Sequence, residues 1–80
     1  MTLMTIKIYG KQGCVKCKTT KMQLPNAEYI ELPLDSEKIE YFKQQGVRAM
    51  PVVEVFDNDK LIDKWSDFDY NKIKQYKEAI

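Results

Sequence analysis

Met4-Thr5-Ile6-Lys7-Ile8-Tyr9-Gly10-Lys11-Gln12-Gly13-Cys14-Val15-Lys16-Cys17 is the stretch on which the fold turns. Met4, Ile6 and Ile8 alternate with Thr5, Lys7 and Tyr9, the period-two pattern of a strand. Gly10 and Gly13 bracket a loop. Beyond it, from Val15 to Leu24, the helix formers Lys16, Lys18, Lys21, Met22 and Gln23 run on until Pro25 stops them. The spacing predicts a strand, a short loop and a helix beginning at Cys14, with a Cys-x-x-Cys at the junction.

The same reading extends outward. Glu28 to Leu32, closed by Pro33, is a second strand. Asp35 or Ser36 caps a second helix, with Ile39 and Phe42 on one face and Gly46 at its end. Val52, Val53, Val55 and Phe56 form a β-branched run, residues 57–60 supply a turn, and Leu61, Ile62 and Trp65 return as a hairpin strand. Ser66 with Asp69, or Asp69 alone, caps a last helix whose Ile73, Tyr76 and Ile80 share a face. The order is β-α-β-α-β-β-α. Strands joined through a helix are parallel and hairpin strands antiparallel, which predicts a four-stranded mixed sheet flanked by three helices, an α/β sandwich. Eighty residues leave room for one core, so residues 1–80 are expected to form a single domain.

Composition narrows the function. Thirteen basic and twelve acidic residues give a net charge of +1, without the electrostatic footprint of a nucleic-acid or membrane-surface binder. The chain has no histidine, which removes imidazole bases and histidine metal ligands. The amino-terminal stretch reads as neither a signal peptide nor a membrane span. Two cysteines are too few for a secreted disulfide framework, and a reducing cytoplasm is the expected compartment.

A Cys-x-x-Cys where a strand meets a helix is suited to redox chemistry. Unpaired N–H groups at the helix start favour negative charge, so Cys14 is the candidate nucleophilic thiolate. Cys17, one turn on and closer to the sheet, is the candidate resolving thiol. Cys14 would attack a substrate disulfide and Cys17 would release the product, with no cofactor needed. Two other uses of the motif stay open. Half a zinc site would need ligands from a second chain, because no third cysteine is present. A soft-metal carrier of Cu(I) would suit two thiolates, although such domains end in a strand where this chain ends in a helix. No metal ligand is assigned.

Met50-Pro51, ahead of the valine run, reads either as an edge-strand start or as a cis peptide beside the dithiol that offers the Met50 backbone to an extended substrate. Lys11, Lys16, Lys18 and Lys21 read either as a solvated helix face or as positive charge around the dithiol that stabilises a thiolate and steers an acidic partner.

Cys14-Val15-Lys16-Cys17 followed by Thr20-Lys21, then Arg48-Ala49-Met50-Pro51-Val52-Val53, then Trp65-Ser66-Asp67-Phe68, together resemble the NrdH redoxins, glutaredoxin-like proteins that behave like thioredoxins. The resemblance covers nearly the whole chain. It implies a thioredoxin fold and an activity as electron donor to the large subunit of class Ib ribonucleotide reductase, with thioredoxin reductase upstream. It makes Cys14 the nucleophile, Cys17 the resolving cysteine and Pro51 the cis-proline. Trp65, Ser66 and Phe68 match a segment near the active site, and Lys11, Val15, Lys16 and Met50 complete the expected partner-binding set of a monomer. Where the family has glycine this chain has Asp67, a residue type that tolerates positive φ. The rival is a glutathione-dependent glutaredoxin, whose glycine pair is replaced here by Ser66-Asp67. Those side chains would crowd glutathione, and the carboxylate would repel it. Lys11, three residues before Cys14, is the feature the rival shares.

Overall fold

The computed structural model describes residues 4–79, in which β1 (Met4–Lys11), α1 (Val15–Gln23), β2 (Glu28–Leu32), α2 (Glu37–Gln44), β3 (Val52–Asp57), β4 (Lys60–Ser66) and α3 (Tyr70–Ala79) follow one another. The strands form one sheet in the order β2-β1-β3-β4. β1 pairs parallel with β2 and antiparallel with β3, and β3 pairs antiparallel with β4. This is the mixed sheet expected from one helical crossover and one hairpin. Ile80, assigned above to the face of the last helix, lies outside the described residues.

Period-two alternation sends neighbouring residues to opposite faces of the sheet. Ile6, Ile8, Val53 and Val55 pack with Leu24 of the α1 end and with Ile73 and Tyr76 of α3. Val52, one residue from Val53, instead joins Ile39 and Phe42 of α2, together with Met50, Cys14 and Cys17. Both faces are therefore covered, and the dithiol, at the start of an α1 that packs on β1 and α3, also contacts the cluster of Met50 and Val52.

Local chemistry sets the boundaries. Cys14 is the N-cap of α1 and not its first residue; its backbone is extended and its side chain accepts from the N–H of Cys17. Ser36, not Asp35, caps α2, accepting from the N–H of Lys38. At the other end Gly46 adopts φ 92°, with Gly46 N donating to Lys43 O and Val47 N to Phe42 O, a Schellman closure that needs a left-handed residue. The hairpin turns through Asn58 and Asp59, both at positive φ, as the twist of a two-residue connection demands. Asp69 caps α3 by accepting from the N–H of Lys72.

One polar cluster ties β4 to α3. Asp63 accepts from Lys72 Nζ and Tyr76 Oη, each at 2.7 Å, and from the N–H of Lys64 at 2.8 Å. The Lys72 hydrogen bond holds the Asp63 carboxyl below its ordinary 3.8, helped by Tyr76 and against partial burial. Burial, with Asp63 adding to it, pushes Tyr76 up to about 12. A depressed carboxyl pKa contributes stability that is present above the ordinary value and lost as pH falls through the folded one. A raised phenol pKa contributes stability that is present below 10.0 and lost as pH climbs toward about 12. Urea midpoints measured against pH should fall at both ends, and Asp63→Asn should flatten both limbs; unchanged limbs would show that the cluster is not coupled to folding.

Candidate active site

The two sulfurs are brought together by the turn that opens α1. Gly13 takes φ 76°, Cys14 N donates to Lys11 O, and Cys14 closes a disulfide with Cys17 across a Cα–Cα distance of 5.3 Å. The Cys17 N–H points at Cys14 Sγ, 3.2 Å away, so the first turn of the helix directs a donor at this sulfur. Cys14 is 9% exposed and Cys17 fully buried, and the asymmetry places Cys14 on the accessible side. Val15 beside it is exposed.

The Met50–Pro51 peptide is cis. Met50 packs in the same cluster as Cys14 and Cys17, and Pro51 is fully buried. Pro51 O accepts from the N–H of Asp67 at 2.9 Å, which holds the loop between β4 and α3 beside the dithiol loop. Asp67 adopts φ 68°, the conformation for which a glycine would be suited.

The lysines are not all committed to the dithiol. Lys16 Nζ makes an ion pair with Asp67 Oδ1 at 2.9 Å, bridging the residue between the cysteines to the left-handed loop. That pairing, with the Phe68 N–H second, lowers the Asp67 pKa. Asp67 is thus a paired carboxylate and not a free negative charge, which weakens the electrostatic part of the expected exclusion of glutathione and leaves the steric part. Lys21 is used elsewhere. Its ammonium donates to Pro25 O and Ala27 O, closing the carboxy-terminal end of α1 away from the sulfurs.

Trp65 has a packing role. It is buried, stacked on Tyr76 at 5.6 Å, and belongs to the cluster on the opposite face of the sheet from Phe42, so its ring does not form a partner-facing surface. Inward alternation along β4 is the reason, since Trp65 pairs with Val53. Ser66 pairs with Val52 at the strand end and is half-buried. Phe68 is partly exposed at 38%, leaving it, in the loop after β4, and Val15, at the start of α1, as apolar groups accessible around the disulfide.

An open groove of about 170 Å³ runs along the other side of Met50, lined by Leu34, Phe42, Val47 and the cations Lys11, Lys43 and Arg48. Lys43 is paired with Glu40 at 3.4 Å. The contributions of Lys43 and Arg48 escaped sequence reading because they come from α2 and the segment after it and meet Lys11 only in the fold.

Gly10 is where two elements touch through the strand. A Cβ there would lie inside the contact distance of the Tyr29 hydroxyl and 2.9 Å from Cys17 Cβ. Gly10→Ala should therefore destabilise the protein by about 1–3 kcal/mol through overpacking, read as a lower urea midpoint; a neutral change would mean that the α1–sheet contact is looser than its geometry.

No protein-family model matches the chain, and no curated protein does. Solved structures do. The NrdH-redoxin of Escherichia coli, a glutaredoxin-like protein with a thioredoxin-like activity profile, is 29% identical over 89% of this chain and 92% of that one, with a TM-score of 0.63. Thioredoxin f from spinach chloroplast is 17% identical over 95% of this chain and 74% of its own, with a TM-score of 0.62. Fasciola hepatica thioredoxin is 18% identical over 95% and 79%, with a TM-score of 0.58. The last two speak for the fold alone, while the first also carries the resemblance read from the three sequence motifs. With its disulfide at the start of α1, the chain is a thioredoxin-fold thiol-disulfide oxidoreductase similar to the NrdH redoxins.

Proposed function

We propose that this chain is a dithiol electron donor that reduces a protein disulfide, with the large subunit of a class Ib ribonucleotide reductase as substrate and thioredoxin reductase as the source of electrons. The observation that carries the reading is the Cys14–Cys17 pair at the α1 start, with an N–H aimed at the less buried sulfur. In the reduced protein that N–H stabilises a Cys14 thiolate. The thiolate attacks the substrate disulfide; a mixed disulfide forms and one substrate thiolate leaves. Cys17 then attacks Cys14 Sγ, the Cys14–Cys17 bond forms, and the second substrate thiolate leaves. Two electrons pass to the substrate, and the reductase returns two to the pair.

The Met50 backbone ahead of Pro51 would pair with an extended substrate segment, with Val15 and Phe68 as apolar contacts and Lys11 and Lys16 as charged ones. The sequential chemistry needs no cofactor, and the protein would act as a cytoplasmic monomer. No helix among the described residues is long and apolar enough to cross a membrane.

The glutathione reading keeps one specific support, the cations Lys11 and Arg48 beside Met50, which suit a carboxylate. Against it stands the segment Ser66-Asp67, whose side chains occupy the space that a close backbone approach requires. An NADPH-oxidation assay comparing thioredoxin reductase with glutathione plus glutathione reductase decides between the two. The thioredoxin reductase arm should be faster by at least about tenfold, a difference of ~1.4 kcal/mol in barrier, and Ser66→Gly with Asp67→Gly should raise the glutathione arm. Efficient glutathione turnover by the unmodified protein would reject the reading.

A further inference from the structure

Cys17 must lose a proton to resolve the mixed disulfide, yet it is fully buried, and burial disfavours a thiolate. The chain has no histidine to assist. One buried side-chain hydroxyl lies close to the Cys17 side chain, that of Tyr29. It and the Cys17 side chain crowd the same point above Gly10, which has no Cβ to separate them. That hydroxyl is itself buried and, with the disulfide closed, has no hydrogen-bond partner among the described residues. A buried donor without a partner is costly and uncommon. Opening the disulfide changes the situation. A disulfide sulfur is a weak acceptor held by its bond, whereas a freed Cys17 sulfur can rotate about χ1 and, as a thiolate, accept strongly.

We propose that the Tyr29 hydroxyl is the hydrogen-bond donor to the Cys17 sulfur of the reduced and mixed-disulfide states, lowering the pKa of the resolving thiol. Burial, with Glu31 adding to it, raises the Tyr29 pKa above 10.0, so the phenol keeps its proton throughout and acts only as a donor. The Cys17 proton goes to solvent. The thiolate attacks Cys14 Sγ, the intramolecular disulfide forms, and the bond from Cys14 to the substrate sulfur breaks, its electron pair leaving with the substrate. This deepens the two-cysteine cycle proposed above and rests on it.

The test is stopped-flow reaction of the reduced protein with 5,5′-dithiobis(2-nitrobenzoate). Attack by Cys14 releases one thionitrobenzoate in a first phase, and attack by Cys17 on the Cys14 adduct releases a second. Tyr29→Phe keeps the ring over Gly10 and removes only the donor. The variant should raise the Cys17 pKa by about one unit. With a thiolate reactivity that rises with about 0.4–0.5 of the pKa change, its second phase should be ~3-fold slower at neutral pH and ~3-fold faster well above the Cys17 pKa. Its first phase should be unchanged. Such a crossing pH profile is not produced by loosened packing. Superimposable second-phase profiles would overturn the inference, as would a change confined to the first phase. Release of a single equivalent by the unmodified protein would instead reject the two-cysteine cycle. In that unmodified protein the Tyr29 13Cζ resonance should move as Cys17 titrates, and a resonance indifferent to reduction and pH would also overturn the inference.

Discussion

Cys14→Ser should abolish protein-disulfide reduction to the assay background, a loss of at least about a hundredfold, while Cys17→Ser should accumulate a covalent complex with its substrate. The difference follows from position. Cys14 has the greater exposure and the Cys17 N–H directed at its sulfur, so the thiolate that begins the exchange is built there, and serine is a far poorer nucleophile at neutral pH. Cys17 has no access to a bulky substrate but lies within bonding reach of Cys14. Without it the first exchange proceeds and the second does not. Mass spectrometry under non-reducing conditions should find the adduct in Cys17→Ser and none in Cys14→Ser. Limited alkylation of the reduced wild-type protein should label Cys14 first. Full turnover by Cys17→Ser without added thiol, or preferential labelling of Cys17, would reverse the assignment.

Phe42→Ala should cost about 3–5 kcal/mol, the largest stability loss expected of one truncation here. Phe42 is 1% exposed and meets Tyr9 edge-on at 5.4 Å and Tyr41 at 5.7 Å. Lys38 lies over all three rings at 5.1 to 5.4 Å, adding cation–π attraction. An 80-residue domain has a total stability of roughly 4–12 kcal/mol, so losing this ring should lower Tm by more than about 12 °C or prevent folding. Because Phe42 shares its cluster with Met50, Cys14 and Cys17, the folded fraction should also show altered reactivity of the dithiol toward alkylating agents. A loss below about 1 kcal/mol would mean that the space collapses without cost.

Much of the architecture was legible along the chain because its determinants are local. Alternation in Met4 to Tyr9, the Pro25 stop, the Asp35-Ser36 cap candidates before α2 and the glycine after it each act within a few residues, and they correctly placed the elements in order. The dithiol was legible for the same reason, since three residues of spacing and a helix start bring two sulfurs together. Position left Met50-Pro51 either an edge-strand start or a cis peptide, the family resemblance implied the cis form, and the peptide is cis.

What could not be read locally depends on partners far apart in sequence. Lys16 looked like a thiolate neighbour, but it reaches Asp67, fifty-one residues away, because the Asp67 N–H on Pro51 O fixes that loop beside α1. Trp65 matched a segment near the active site, and strand register turns its ring into the opposite cluster, where Tyr76 covers it. Tyr29 carried no signal at all, since its hydroxyl comes near the Cys17 side chain only where β2 lies next to β1 and Gly10 leaves the space open. The sequence by itself thus determined the elements, their order and the reactive pair, all products of short-range backbone and side-chain preferences. The tertiary structure alone decided which charges are neutralised, which aromatic ring is buried and which hydroxyl is buried over Gly10 near the Cys17 side chain, because those outcomes depend on sheet register and on packing between segments that the chain keeps far apart.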